Sequence, residues 1–245
     1  MRVITKVRGI TKEQKLSGPN GVGPSGVGPS GVGPLTQVRI VDACIALLER
    51  DGAEGLSLRR VGAALGVDAT AIYRHFRDKD DLLRAVGDRL HESVLVDLPR
   101  RGSWRAIVRT VCIRLRASHL QRPDLALFVR TGPPLHENEF ALTEVLLTQL
   151  GRAGLVSRDA ALGYHALIEL TVASASIDAD MAGKGELERK RLYGEWRHVY
   201  AKLDPSHYPT SVAHASQLYR SSADARFEFA LDRLLDGLVE YAADK

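Results

Sequence analysis

From residue 35 onward, apolar side chains recur every three to four positions in one segment after another, the period of helices that bury one face. Val38, Ile40, Val41, Cys44, Ile45, Leu47 and Leu48 make a broad stripe over Thr36 to Asp51, closed by Gly52. Leu58, Val61, Ala64 and Leu65 mark a shorter helix between Ser57, a natural N-cap, and Gly66, which can take a left-handed turn without a Cβ penalty. Asp68 caps a third helix, Ala69 to Phe76, with Ile72 and Phe76 inward. Asp78 caps a fourth, Lys79 to Val96, with Leu82, Leu83, Val86, Leu90 and Val94 at helical spacing, and Pro99 and Gly102 end it.

The remainder also reads as helices. Trp104 to Gln121 carries Trp104, Ile107, Val108, Val111, Cys112 and Leu115, and Pro123 opens a short helix broken by Gly132-Pro133-Pro134. Glu137 to Ala153 places Phe140, Val145, Leu146 and Leu150 inside. The segment from Ser157 through Met181 is apolar nearly all round, which predicts burial on more than one side. Glu186 to Lys202 is charged with an apolar edge of Trp196, Val199 and Tyr200, and Leu203 to Ser222 is the least regular stretch. Ala223 to Ala243 is helical, with a stripe too wide for one packing partner. The long apolar helix and the last one therefore predict a face on each that meets a second copy of the chain, Ala173 to Ser176 allowing close approach. The alternative is a monomer with a thick core.

Leu56 to Lys79 has the layout of a helix-turn-helix joined to a third helix. A short helix held across a glycine turn fits the major groove of B-DNA. Arg74 can fork onto guanine, and Thr70 and Ala71 can meet a thymine methyl. Tyr73, His75 and Lys79 can reach phosphates, and Ser57 and Arg59 at the start of the preceding helix are further DNA-binding candidates. A plain helical hairpin with a solvated polar face is the competing reading.

Several independent positions decide between them. GLSLRRVGAALGVDATAIYRHFRDKDDLLRAV, with its Leu-Gly-Val turn, its Ile-Tyr-Arg-His-Phe reading segment and its Lys-Asp-Asp-Leu-Leu helix opening, resembles the DNA-binding signature of the tetracycline-repressor (TetR) family of bacterial transcription regulators. The resemblance implies an all-α fold: an N-terminal three-helix DNA-binding domain with the helix-turn-helix, then a larger helical domain that binds an effector and dimerises. The expected division is 1–34, a basic arm and Gly/Pro/Val repeat; 35–78, the DNA-binding domain; and 79–245, the effector and dimerisation domain. The expected partners are double-stranded operator DNA, a second copy of the chain in a homodimer, and a small apolar effector. The resemblance also makes the fourth helix a lever between domains, and the long and last helices of each subunit a four-helix interface.

Composition changes the picture at three points. The formal net charge of +4 lies wholly in residues 1 to 91, with 14 Lys+Arg against 10 Asp+Glu, which leaves 20 of each in the rest. The DNA-facing part is thus basic and the remainder neutral. The repeat from Ser17 to Pro34 contains G-x-G-x-x-G twice, but no strand precedes it and Pro24 and Pro29 sit inside it, so the dinucleotide fingerprint is rejected. Cys44 and Cys112 each lie in an apolar helical pattern and read as buried thiols of a reducing compartment, hence a cytoplasmic protein. No run approaches the ~18 consecutive apolar residues of a membrane helix, and no signal-peptide core opens the chain.

No catalytic motif appears: G-x-S-x-G, H-E-x-x-H and a phosphate loop are all absent, the paired acids Asp80 and Asp81 lie on a surface helix, and the eight histidines lack ligand spacing. No enzyme activity, cofactor or metal is expected. Landmarks from Trp104 to Asp180 extend the similarity to tetracycline repressors, with departures. Arg130 stands where that resemblance places a magnesium-binding histidine, Ile177 where it places the acidic partner, and Leu95 where it places a drug-contacting histidine. Magnesium-bound tetracycline is therefore not the expected effector. Trp104, His119, Phe128, Tyr164, His165 and Glu169 are the candidate effector-lining groups, each with an ordinary core role as its alternative. A DNA-binding dimer with no small-molecule effector, governed by a protein partner or by expression, remains the second reading.

Overall fold

Thr36 sets where the first helix starts, its side chain accepting the Arg39 N–H at 3.3 Å. The computed structural model describes residues 33–99, 101–123, 126 and 135–243. The basic arm, nearly all of the repeat, and the region of the short helix and its Gly-Pro-Pro break, with Phe128 and Arg130, fall outside the described residues. Among the described residues there are ten α-helices and no strand: α1 (Gln37–Asp51), α2 (Leu58–Leu65), α3 (Ala69–Ile72), α4 (Lys79–Leu95), α5 (Trp104–Gln121), α6 (Glu137–Arg152), α7 (Ser157–Ala182), α8 (Glu186–Ala201), α9 (Pro209–His214) and α10 (Ala223–Ala243).

Local signals account for most boundaries. Ser57, Asp68, Asp78 and Ser103 each cap a helix through the side chain, and Gly66 closes α2 at φ 69°, ψ 28°, where a Cβ would be strained. The reading segment departs from expectation. α-Helical geometry covers only Ala69–Ile72, after which the Arg74 and His75 N–H groups donate to Ala71 and Ile72 carbonyls three residues back, at 3.3 and 2.9 Å. The chain tightens there because Phe76 turns into the core while Asp78 must cap α4 two residues later.

Two apolar clusters organise the chain. One gathers Ile40, Cys44, Ile45, Leu48, Val61, Ile72 and Phe76 with Leu82, Val86 and Leu90 of α4. The other gathers Val94 of α4 with Val111, Leu115, Leu142, Leu146, Leu167, Phe227, Leu231 and Leu235 from α5, α6, α7 and α10. α4 thus belongs to both, and each of its fully buried leucines contributes roughly 1.5–3 kcal/mol by leaving water.

Helical period alone misplaced several side chains. Val38 and Phe140 are 60% and 56% exposed, because they sit across their helices from the buried rows Cys44–Leu48 and Leu142–Leu146–Leu150. Asp81 is buried rather than on the surface, since it is the third residue of α4 and accepts from the Arg77 backbone and guanidinium at 3.2 and 3.0 Å. α7 buries one side only, Ala160, Gly163, Leu167, Thr171, Ala175 and Asp178, within the protomer. By length and composition α7 is the one helix among the described residues that could cross a membrane, but this inner row is packed into the core.

Both cysteines are fully buried, and burial pushes the thiols up, to about 12 for Cys44 and about 11 for Cys112. Neither should react with a thiol reagent at pH 8 in the folded protein, and both should react in denaturant. Stoichiometric labelling of the native chain would refute this.

Candidate functional site

The reading face is built by local capping and by one long-range tether. Asp68 accepts the Thr70 N–H at 2.8 Å, and the hydroxyl and backbone of Thr70 together hold the Asp68 carboxyl below its usual range. This engages the polar end of Thr70. Gln37 at the start of α1 donates to the His75 carbonyl at 2.6 Å, pinning the far end of the reading segment to the support helix. Gly62 supplies the close approach of α2 to the turn: a Cβ there would lie 2.8 Å from the Val67 carbonyl oxygen and 3.2 Å from the Ala69 nitrogen. Gln37 and Gly62 are not among the residues that the helix-turn-helix motif marks. A glycine inside a helical pattern was the available signal for the second.

Ser57, Arg59, Thr70, Tyr73, Arg74 and Lys79 are exposed, while Ala71 and His75 are half-buried. Among the described residues no carboxylate pairs with Arg59, Arg74 or Lys79. Arg60 differs. It turns back to Asp51 and donates to the Gly55 carbonyl at 2.9 Å, and the Arg50 and Arg60 side chains hold the Asp51 carboxyl low. Free cations and caged ones are therefore interleaved along α2, the turn after α3 and the start of α4. Ser57 spends its hydroxyl on the Arg60 N–H at 3.3 Å as the α2 cap.

Of the six residues named for effector binding, Trp104 and Tyr164 pack against the same core cluster, whereas His165 and Glu169 face outward. His119 is buried on α5 with Nδ1 2.9 Å from the Leu115 carbonyl, which assigns the proton to Nδ1. Burial pushes its pKa down, so the ring is neutral and Nε2 is an acceptor with no partner among the described residues. Trp104 packs on the body core, and the Tyr164 hydroxyl lies 3.0 Å from that of Thr143, with burial raising the phenol pKa. His165 and Glu169 are exposed, on the same outer stripe of α7 as Leu162, Ala173 and Ile177. His165 meets the Tyr164 ring edge-on at 5.3 Å. Phe128 is outside the described residues. A cleft of about 330 Å³ between α5 and α10 is lined by other groups, including Ile113, Arg116, Leu120, Phe227 and Glu228. Among the described residues no three ligand-type side chains group as a metal site.

A helix-turn-helix with an exposed cationic face, joined by one helix to a larger helical body, defines a DNA-binding transcription regulator. The model for the tetracycline repressor-like C-terminal domain matches residues 97–241, and that for bacterial regulatory proteins of the tetR family matches residues 40–86. The chain belongs to the TetR family. The HTH-type transcriptional repressor DrrR1 of Streptomyces coeruleorubidus is 27% identical over 230 residues, 86% of this chain and 80% of that protein. An HTH-type transcriptional regulator of Saccharopolyspora erythraea is 31% identical over 145 residues, 59% of this chain, which spans only 61% of that relative's length. Among solved structures, the TetR family protein ActR of Streptomyces coelicolor in complex with actinorhodin superposes with a TM-score of 0.74 at 29% identity, over 86% of this chain and 99% of ActR.

Proposed function

We propose that the chain is a cytoplasmic, homodimeric repressor that a small, largely apolar effector releases from its operator. The observation that carries this reading is that α4 contributes side chains to both apolar cores, so a ligand that repacks the body also resets the head. Support comes from ActR, a relative by structure that has been solved with actinorhodin. The buried His119 Nε2 offers a hydrogen-bond acceptor suited to a ligand hydroxyl. Leu162 and Ile177 on α7 and Phe229 on α10 are exposed in the protomer and suit a partner subunit.

In this reading Arg74 contacts a base edge, Thr70 and Ala71 contact thymine methyls, and Ser57, Arg59, Tyr73, His75 and Lys79 contact the backbone. Arg74→Ala should cost about 1–3 kcal/mol on an operator selected from random DNA and relax its sequence preference. Tyr73→Phe should weaken all sequences alike. Wild-type footprints from both variants would end the assignment. For release, actinorhodin is the first probe: a ligand can shift the operator equilibrium only by its preference for the DNA-free shape. An effector should therefore raise the melting temperature of the free protein more than that of the complex.

A further inference from the structure

The body helix α6 (Glu137–Arg152) borrows its N-terminal cap from the lever. His136 stands at its own cap position and makes no side-chain cap bond. The orphan donors of the first turn go instead to Asp88 in the middle of α4: the Glu139 N–H donates to Oδ1 at 2.8 Å and the Asn138 N–H to Oδ2 at 3.1 Å. The Asn138 side-chain amide adds bonds to Oδ2 at 2.9 Å and to the Asp88 carbonyl at 3.4 Å. Asp88 is only 5% exposed. Burial pushes its pKa up, but His91 and the two backbone donors outweigh this and hold it below the usual range, as an anion at a helix N-terminus. Two turns earlier His136 lies 3.7 Å from Asp81, so the start of α6 runs along α4 between these two acids.

We propose that Asp88 is the positioning residue that fixes the angle of the reading head on the body, and with it the half-site spacing that a dimer of this chain accepts on DNA. The inference rests on the reading of a dimer that places two heads on one operator. Apolar side chains along α4 can slide past neighbours at small cost, whereas a buried carboxylate loses its bonds beyond about 3.2 Å and is left uncompensated. The α4–α6 contact is therefore either made or broken, and while it is made the lever cannot tilt independently of α6. Asp88 lies about nine residues from the start of α4, roughly 13 Å along the axis, so a small slip at this point moves the reading segment visibly.

The test needs no effector. On an operator selected from random DNA, one base pair is added or removed between half-sites, which displaces them by about 3.4 Å and rotates them by about 34°. Wild type should lose about tenfold or more in affinity. Asp88→Ala and the equal-volume Asp88→Asn should discriminate far less between the spacings, with preference within each half-site unchanged; should the alanine variant fail to fold, the asparagine variant carries the test. In wild type, hydrogen exchange of the Asn138 and Glu139 amides should be slow, and in Asp88→Asn faster by about tenfold. Folded variants that discriminate as wild type does, or fast exchange of those amides in wild type, overturn the proposal alone. A wild type indifferent to spacing overturns the two-headed dimer reading and the proposal with it.

Discussion

Arg116→Ala should lower the unfolding free energy by about 3–5 kcal/mol, because it removes the buried guanidinium that pairs with the buried Asp178 carboxylate. Arg116, in the C-terminal half of α5, is 4% exposed. Its Nη2 donates to Asp178 of α7 at 2.7 Å, Nη1 to Asp224 of α10 at 2.5 Å and Nε to the Ser174 hydroxyl at 3.1 Å. The guanidinium also lies over the Phe227 ring, 5.1 Å from its centroid. After substitution Asp178 keeps only Arg226, at 3.4 Å, as a cationic partner among the described residues, which places the expected loss at the lower end of that range. Urea unfolding measures it. The double variant Arg116→Met/Asp178→Leu should cost less than Arg116→Ala, since the charges it leaves without these partners, Asp224 and Arg226, are solvent-exposed and no buried charge is stranded. A loss below about 1 kcal/mol from Arg116→Ala, the level of an exposed pair, would mean that the network is solvent-screened and does not tie the three helices together.

Gly62→Ala should abolish operator binding while leaving the body folded. Alanine ordinarily improves a helix interior by about 1 kcal/mol over glycine. Here its Cβ would meet the Val67 carbonyl oxygen at 2.8 Å and the Ala69 nitrogen at 3.2 Å, both backbone atoms of the turn. Backbone cannot rotate away as a side-chain tip can, so α2 and the reading segment must separate, at an overpacking cost of about 1–3 kcal/mol. The Val67 N–H to Gly62 carbonyl bond of 2.9 Å, which closes the turn, lengthens with them. Operator affinity measured well below the melting point of the variant checks this. Wild-type affinity would show that the turn has room that the geometry denies it.

The helix-turn-helix was legible because its caps, turn and inward residues lie within one stretch of chain, the Gln37 tether excepted. Caps at Ser57, Asp68 and Asp78, a left-handed Gly66 and the inward Ile72 and Phe76 are local facts, decided by backbone hydrogen-bond needs within a few residues of each side chain. The inward face of α7 was not legible in that way. Periodicity says that Tyr164, His165, Leu167 and Glu169 share a helix, but which side of that helix meets α5 is set by packing against distant segments. The packing turned His165 and Glu169 outward and Leu167 inward.

Interactions between residues a few positions apart are enough to set the all-α class and the position of most helix ends. The surroundings of Asp88, Arg116, Gln37 and Gly62 come instead from packing in the tertiary structure. Each is defined by a partner brought close by folding: Asp88 by amides 50 and 51 residues away, Arg116 by carboxylates 62 and 108 residues away, and Gln37 by a carbonyl 38 residues away. Gly62 is defined by a turn that must come within one Cβ of it. A polar side chain in a helical pattern reads as surface until burial and a partner are known. The free energy that makes it a clamp, the bonding of a charge withheld from water, exists only once both are in place.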